Sequence, residues 1–160
     1  MTQIWISPRH LHAIHLHATM TYPEECCGIL IGHHQKENGV GALVHRILSA
    51  QNARQDRRID RYLIDPRTIL AAHREARAME MDIVGYYHSH PDHSAQPSDF
   101  DRQQAWPGVS YMIVSVEQGQ VVETRSWRLE GDRLKFDEEE VHHDLPSAPL
   151  VTPERDRKVS

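Results

Sequence analysis

Histidine is unusually frequent in this sequence, with 13 among 160 residues, and its spacing raises the question of a metal site. A His-x-His spacing occurs three times, at residues 10–12, 15–17 and 88–90. On a helix, residues two apart point roughly 200° away from each other, whereas on a strand they lie on the same face. His88 and His90 end a segment of β-branched and aromatic residues that is typical of a strand. We therefore expect these two imidazoles to converge on one metal ion.

The residues that follow this pair offer a third ligand. Pro91 ends the strand, and Ser98 is placed to cap a short helix that has Asp101 in its first turn. Two histidines and one carboxylate leave a tetrahedral Zn²⁺ one open position for water, which is the pattern of catalytic zinc sites. The alternative is a strand-end histidine pair followed by a capped helix, with no metal. Asp99 is a weaker candidate for the carboxylate ligand.

A small α/β domain must position these residues. Apolar and alternating segments predict strands at residues 4–6, 26–32, 40–48, 62–64, 82–90, 111–116, 120–129 and 133–136. Ser7 with Pro8, and Asp65 with Pro66, mark the starts of two main helices. We expect a mixed α/β (α+β) domain: a twisted, mostly antiparallel sheet flanked by the two main helices, plus the short helix after the metal motif. The domain is expected to span residues 1–136, and the acidic, proline-containing residues 137–160 to form a disordered tail.

Composition narrows the class of protein. Hydrophobic residues make up 39% of the chain and the formal net charge is −5, which permits one core and disfavours nucleic acid as the main partner. No apolar run approaches the ~18 residues of a membrane span, so no membrane partner is expected. Cys26 and Cys27 are adjacent in an apolar strand, where neighbours face opposite ways, so we expect buried free thiols and a cytoplasmic location. The four histidines of the first helix are expected to be exposed to solvent.

Two separated motifs match one known pattern. Residues 88–91 read His-Ser-His-Pro and are followed by Ser98 and Asp101, while Glu25 opens an upstream Glu-Cys-Cys-Gly segment. These motifs resemble the signature of the JAMM (MPN+) zinc metallopeptidases, which is H-x-H-P, a gap of six residues and S-x-x-D, with an earlier Glu-x-Cys-Gly. The similarity covers about residues 2–136, and no motif position departs from the pattern.

The resemblance implies a role for each motif residue. The ligands of one Zn²⁺ per chain would be His88, His90 and Asp101. Glu25 would act as the general base, and Ser98 would donate a hydrogen bond to the oxyanion that forms when the scissile carbonyl is attacked. Glu24 competes with Glu25, but adjacent strand residues face opposite ways, and the Glu-x-Cys-Gly register selects Glu25.

The resemblance also implies a substrate: an amide or isopeptide bond after the C-terminal Gly-Gly of a ubiquitin-like protein. Small stand-alone members look like prokaryotic enzymes that process ubiquitin-like sulfur-carrier proteins, and we expect that function. One alternative is an isopeptidase of a prokaryotic ubiquitin-like conjugation system, and another is a non-catalytic MPN scaffold. A metallophosphoesterase or amidohydrolase is disfavoured, because such (β/α) barrels need ~250 residues. The sequence carries no signal for the oligomeric state.

Overall fold

The computed structural model describes residues 1–37, 40–129, 131 and 135–146. Within these residues the chain forms seven strands: β1 (Gln3–Trp5), β2 (Cys27–Gln35), β3 (Gly41–Ala50), β4 (Asp82–Pro91), β5 (Ser110–Glu117), β6 (Gln120–Leu129) and β7 (Phe136–His142). The same residues form three helices: α1 (Pro8–Thr21), α2 (Pro66–Ala78) and α3 (Asp99–Gln104). Among these helices none combines the length and the hydropathy needed to cross a membrane.

The strands close into a barrel in the order β1-β3-β2-β4-β5-β6-β7. The pairs β2–β3, β2–β4, β5–β6 and β6–β7 are antiparallel, whereas β4–β5 and both pairs made by β1 are parallel. The expected mixed α/β domain with a mostly antiparallel sheet is therefore confirmed. Closure was not predicted, because it depends on Gln3 pairing with both Gly41 and Glu140, and no local pattern connects residues so far apart.

Both main helices begin at the predicted caps. Ser7 Oγ accepts a hydrogen bond from the His10 backbone N–H at 3.2 Å, and Asp65 Oδ1 accepts one from the Arg67 N–H at 2.8 Å. Each cap satisfies an N–H group that the first turn leaves without a helical partner. The proline that follows each cap has no N–H to satisfy, so both helix starts are specified locally.

Strand β2 is covered on both faces, as its nearly all-apolar sequence predicts. Leu30 belongs to an apolar cluster that includes Ile14 of α1, and Ile29 belongs to a second cluster that includes Ala72 of α2. The two main helices therefore contribute to different clusters, and β2 separates them. This burial holds β2 and its neighbour β4 in a defined register.

The register between β2 and β4 brings the two predicted motifs together. Cys27 pairs with His88, so the glutamate-containing segment begins next to the histidine pair. Gly28 permits this approach, because a Cβ atom there would lie 2.1 Å from Cε1 of Tyr87. A side chain at position 28 would thus displace the tyrosine ring that precedes His88.

Strand β7 corrects the domain boundary expected at residue 136. It lies between β6 and β1 and closes the barrel, so the sheet continues into the segment that we expected to be a disordered tail. The acidic run was misleading because most of its side chains are exposed while Glu139 is only 3% exposed. Glu139 accepts hydrogen bonds from Arg128 Nε at 2.8 Å and from Ser126 Oγ at 2.7 Å. The remainder of the expected tail, residues 147–160, lies outside the described residues.

Two local strand predictions also differ from the structure. Residues 62–64 are not a strand, because Leu63 is held by the preceding loop: its N–H donates to Asn52 Oδ1 at 3.1 Å, and its carbonyl accepts from the Ala53 N–H at 2.8 Å. The strand expected at residues 133–136 falls partly on residues outside the described part of the chain. The described strand there begins at Phe136.

Candidate metal centre

Strand β4 places His88 and His90 on one face, as the alternation of a strand requires. Their Nε2 atoms lie 3.1 Å apart, and the two residues are 1% and 6% exposed. Ser89 faces the other way and ties the strand to the segment before β2, because its Oγ accepts a hydrogen bond from the Cys26 N–H at 2.8 Å. The structure therefore brings the two predicted imidazoles together.

Asp101, in the first turn of α3, completes a group of three donors. Its Oδ2 lies 3.2 Å from His88 Nε2 and 3.0 Å from His90 Nε2. Ligands bound to Zn²⁺ at about 2.0–2.1 Å are separated by ~3.3–3.4 Å in a tetrahedron, so these spacings fit one small ion after a slight expansion. The Ser98 N–H donates to the same Oδ2 at 2.9 Å and holds the carboxylate in place.

Glu25, two residues before β2, lies beside the two histidines. One of its oxygens and a ring nitrogen from each of His88 and His90 all lie within 4.8 Å of one another. Glu25 is 2% exposed, and its Oε1 has no hydrogen-bond partner among the described residues. Burial, followed by the charges of Asp101 and Asp60, raises the pKa of Glu25 to about 9. A buried carboxylate needs a proton or a cation to compensate it, which suits a position beside a metal ion.

The pKa shifts of His88 and Asp101 favour the forms that bind a metal. Burial lowers the pKa of His88, although Asp101 beside it acts in the opposite direction. Burial by itself would raise the pKa of Asp101, but the charges and hydrogen bonds of His88 and His90 outweigh it and hold that pKa below its usual range. A neutral imidazole and an ionised carboxylate are the forms that coordinate a metal.

The second ring nitrogen of each histidine has a different environment. His90 Nδ1 lies 2.7 Å from the Ser94 carbonyl oxygen, and because a carbonyl only accepts, Nδ1 carries the proton and Nε2 keeps its lone pair. His88 Nδ1 is buried and has no hydrogen-bond partner among the described residues, and the His88 ring stacks on Tyr62, with centroids 4.5 Å apart. Neither contact was predicted from the sequence: Ser94 acts through its backbone, and the contact of Tyr62 joins two distant segments.

Ser98 caps helix α3. Its Oγ accepts a hydrogen bond from the Asp101 N–H at 3.0 Å, and the Asp101 carboxylate accepts from the Ser98 N–H, which together form a capping box. The hydroxyl hydrogen takes no part in the bond to Asp101. Donation by Ser98 to an oxyanion stays a prediction.

The polar loop at residues 51–61 holds the backbone of Glu25 through hydrogen bonds. The Glu25 N–H donates to the Arg58 carbonyl at 2.7 Å. Asn52 Nδ2 donates to the carbonyls of Glu25 at 3.3 Å and Arg61 at 2.9 Å. Asn52 and Arg58 were not predicted as site residues, because polar residues in a loop form no pattern that separates them from solvated neighbours.

Two clefts flank the donor group. The aromatic cleft, about 350 Å³, is bordered by Asp101 and by the rings of Tyr62, Tyr86, Phe100, Trp106 and Tyr111. The polar cleft, about 410 Å³, is bordered by His17, Thr21, Glu24, Glu25, Cys26, Ala50, Gln51, Asn52 and Arg58. Glu25 thus borders one cleft and Asp101 the other, whereas His88 and His90 line neither of them.

The alternative carboxylate, Asp99, and the two cysteines have environments that do not favour metal binding. Asp99 is exposed and pairs with Arg102 at 3.0 Å. Cys26 and Cys27 are buried free cysteines, as predicted, and burial raises the pKa of their thiols to about 11 and about 12. Both thiols therefore stay protonated near neutral pH, which argues against either one as a nucleophile or a metal ligand.

Three histidines of α1 contradict the expectation that all four are exposed, because His10, His15 and His17 are half-buried and His12 is exposed. His15 Nε2 lies 2.7 Å from Thr124 Oγ1, and His17 Nδ1 lies 2.8 Å from the Tyr87 hydroxyl. Burial lowers the pKa of both histidines. The barrel covers more of the helix than its single apolar stripe indicates, so these rings make structural hydrogen bonds.

Comparison with known proteins identifies a family and relatives that this chain resembles. The family described as prokaryotic homologs of the JAB domain matches residues 7–130. Desampylase from Haloferax volcanii is 34% identical over 94 residues, which are 58% of this chain and 63% of the relative. The deubiquitinase BRCC36 from Xenopus tropicalis is 35% identical over 96 residues, which are 56% of this chain and 35% of the relative. The matched segments thus span less than two thirds of either relative.

Solved structures resemble the whole domain. A protein from Desulfitobacterium hafniense has a TM-score of 0.74 at 28% identity, covering 90% of this chain and 100% of its own. A protein from Salinibacter ruber has a TM-score of 0.69 at 37% identity, covering 93% and 95%. A JAB1/MPN domain protein from Archaeoglobus fulgidus shares the fold, with a TM-score of 0.52 at 17% identity, covering 88% and 99%. Because the family match runs from α1 through β6 and includes the donor group, this chain belongs to the prokaryotic homologues of the JAB domain.

Proposed function

We propose that this chain is a zinc-dependent metallopeptidase that hydrolyses an amide or isopeptide bond after the C-terminal Gly-Gly of a ubiquitin-like protein. The observation that carries the proposal is the group of His88, His90 and Asp101, whose donor atoms lie 3.0–3.2 Å apart beside the buried carboxylate of Glu25. One relative is a desampylase and another a deubiquitinase, which supports isopeptidase-type chemistry.

The donor set suits zinc. Two imidazole nitrogens and one carboxylate oxygen are a recurrent ligand set for catalytic zinc, and their mutual distances are slightly shorter than the edges of the tetrahedron around a zinc ion. When bound, zinc supplies Lewis acidity, which lowers the pKa of a water ligand to about 7 and polarises a carbonyl. We therefore assign His88, His90 and Asp101 as the residues that hold it, at one ion per chain.

Glu25 moves the proton in this proposal. It accepts a proton from the attacking water and returns it to the leaving amine, because one carboxylate can serve both steps. Burial raises its pKa to about 9, and a cation within a few ångströms would favour the ionised form, which is the base. The Ser98 hydroxyl donates a hydrogen bond to the oxyanion of the attacked carbonyl.

A sulfur-carrier protein is the substrate that we favour. A thin Gly-Gly tail can lie between the aromatic and polar clefts as an extended segment. Removal of residues beyond this tail would expose the Gly-Gly end for activation. Isopeptide hydrolysis in a ubiquitin-like conjugation system would use the same residues. It is the second candidate, because one relative is named a desampylase and the other a deubiquitinase. A non-catalytic scaffold is disfavoured, because every motif residue is present.

A cytoplasmic location is part of the proposal. Cys26 and Cys27 are unpaired and buried, with exposed fractions of 1% and 0%. Free thiols of this kind are usual in reducing compartments.

The experiment is cleavage of defined substrates by the zinc-loaded protein. One substrate is a sulfur-carrier protein extended beyond Gly-Gly, and the other is an isopeptide-linked conjugate of the same carrier. Mass spectrometry should find the cut directly after Gly-Gly, and the Glu25→Gln variant should leave the substrate intact. Failure of the protein with one bound zinc to cut either substrate contradicts the proposed function.

A further inference from the structure

The proton path of the proposed function, on which this inference rests, orients the substrate. Hydrolysis breaks the bond between the glycine carbonyl carbon and the leaving nitrogen. The oxygen of water joins the carbon, and one proton passes through Glu25 to the nitrogen. The leaving nitrogen must therefore lie beside Glu25, so the leaving residue enters the polar cleft, which Glu25 borders. The acyl part of the substrate then lies on the side of Asp101, in the aromatic cleft.

Arg58 is the only lysine or arginine that borders the polar cleft among the described residues. Two other arginines of this loop have carboxylate partners, since Arg54 pairs with Asp56 and Arg57 pairs with Asp60, and Arg61 lies over the Phe100 ring at 4.4 Å. Arg58 forms no ion pair with any described carboxylate, and its Nε donates to the Arg54 carbonyl. The terminal nitrogens of the guanidinium are thus left for a ligand.

The backbone fixes Arg58 relative to the reacting centre. The Glu25 N–H donates to the Arg58 carbonyl at 2.7 Å, which holds the backbones of the two residues together at the edge of one cleft. Glu24 and Glu25 border the same cleft, so an anion entering it meets acidic neighbours and needs a cation to bind. His17 does not supply one at neutral pH, because burial lowers its pKa.

We propose that Arg58 is a specificity-determining residue that binds the free carboxylate of the leaving residue. A guanidinium binds a carboxylate through two parallel hydrogen bonds, and in a free C-terminal amino acid the carboxylate lies one carbon beyond the leaving nitrogen. A cleft of about 410 Å³ is near the lower end of small-ligand sites and accommodates one residue and not a folded partner. The preferred reaction is therefore release of a single C-terminal amino acid from the chain that ends in Gly-Gly.

A lysine that is linked through its side chain places no free carboxylate in the polar cleft. Its leaving nitrogen is followed by methylene carbons, and its own carboxylate belongs to the backbone of the conjugated protein. Arg58 therefore favours processing of a C-terminal extension over deconjugation. This distinguishes two substrates that the zinc site alone treats alike.

The test compares three substrates built on one carrier: Gly-Gly-Ala with a free carboxylate, the same chain with a C-terminal amide, and Gly-Gly linked to the side chain of a lysine. We expect the zinc-loaded wild type to prefer the acid over the amide by about tenfold in kcat/KM, the scale of one hydrogen bond to a charged group. Arg58→Ala should bring this ratio near one by raising KM for the acid, and the readout is the ratio and not either absolute rate, because the Arg58 carbonyl also holds Glu25. Arg58→Lys should keep part of the preference.

The matched control is Arg57→Ala, which removes the adjacent arginine outside the polar cleft and should keep the acid-to-amide ratio. Binding gives a readout without turnover: in the Glu25→Gln variant, the acid substrate should bind about tenfold tighter than the amide, and adding Arg58→Ala should remove the difference. Equal cleavage of acid and amide by the wild type, or an unchanged ratio in Arg58→Ala, overturns the role of Arg58 and leaves the proposed function standing. Cleavage of none of the three substrates overturns both.

Discussion

The Asp101 carboxylate accepts a hydrogen bond from the Ser98 N–H at 2.9 Å, and Ser98 Oγ accepts one from the Asp101 N–H at 3.0 Å. The same oxygen, Asp101 Oδ2, lies 3.0 Å from His90 Nε2. One carboxylate thus caps helix α3 and joins the donor group. Any change that loosens the cap should also misplace the ligand, because both depend on one rotamer of Asp101.

Replacing Ser98 by alanine tests this coupling. We expect Ser98→Ala to lower the free energy of unfolding by about 1 kcal/mol, the usual cost of a lost N-cap. Cleavage should fall by about 100-fold or more, because a hydrogen bond to the oxyanion is lost as well. Ser98→Thr, which keeps a hydroxyl, should restore most of both. Urea unfolding and steady-state rates measure the two effects; a loss of stability with an unchanged rate contradicts the oxyanion role.

Replacing Glu25 by glutamine separates metal binding from proton transfer. Glu25→Gln should retain one zinc per chain and lose cleavage by about 1,000-fold or more, because the amide cannot carry the proton. Glu24→Gln is the matched control and should stay active. Zinc content by elemental analysis and product formation by mass spectrometry give the two readouts. A fully active Glu25→Gln variant would exclude Glu25 as the base.

The zinc content distinguishes the donor group from the other histidines. His88→Ala should lose both zinc and activity, and phenanthroline should inhibit the wild type until zinc is restored. Changing all four histidines of α1 to glutamine should leave one zinc per chain. That variant should melt at a lower temperature, because the hydrogen bonds of His15 and His17 are lost. A fall in its zinc content, measured on folded protein, would contradict the assigned ligands.

The stability of the metal-free protein should depend on the protonation of Glu25. Burial, with the charges of Asp101 and Asp60, raises the pKa of Glu25 from 4.5 to about 9. At a pH between these two pKa values, the folded state holds a proton that the unfolded state has released. The contribution of the protonated carboxyl to the free energy of unfolding is therefore full below the lower pKa and is lost as the pH rises through the higher one. Urea midpoints on either side of neutral pH should fall with pH in the metal-free wild type. The fall should be smaller in metal-free Glu25→Gln, and identical profiles would contradict the shift.

Strand β7 should be indispensable to the fold. A chain that ends at residue 136 loses the partner of β1 and β6 and leaves Arg128 buried without Glu139, a loss of about 3–5 kcal/mol for the charge alone. We expect this chain to be unfolded by circular dichroism. A chain that ends at residue 146 keeps every described strand and should fold. Cooperative unfolding of both chains at one temperature would mean that the barrel does not need β7.

The sequence by itself determined the features that rest on short spacings. The caps at Ser7 and Asp65 are properties of a few consecutive residues, and the structure confirms both. Strand alternation put His88 and His90 on one face for the same reason. The capped turn with Asp101 could likewise be predicted from its spacing, and the structure brings that carboxylate to the histidine pair.

Only the tertiary structure decided how distant segments meet. The pairing of Cys27 with His88 sets Glu25 beside the histidines, and burial there gives its carboxylate a pKa of about 9. The stacking of Tyr62 on His88, the position of Arg58 beside Glu25 and the closure by β7 depend on long-range contacts as well. Hydrophobic spacing reports only which face of an element is buried, whereas burial of a charge and the pairing of strands depend on what packs against that face.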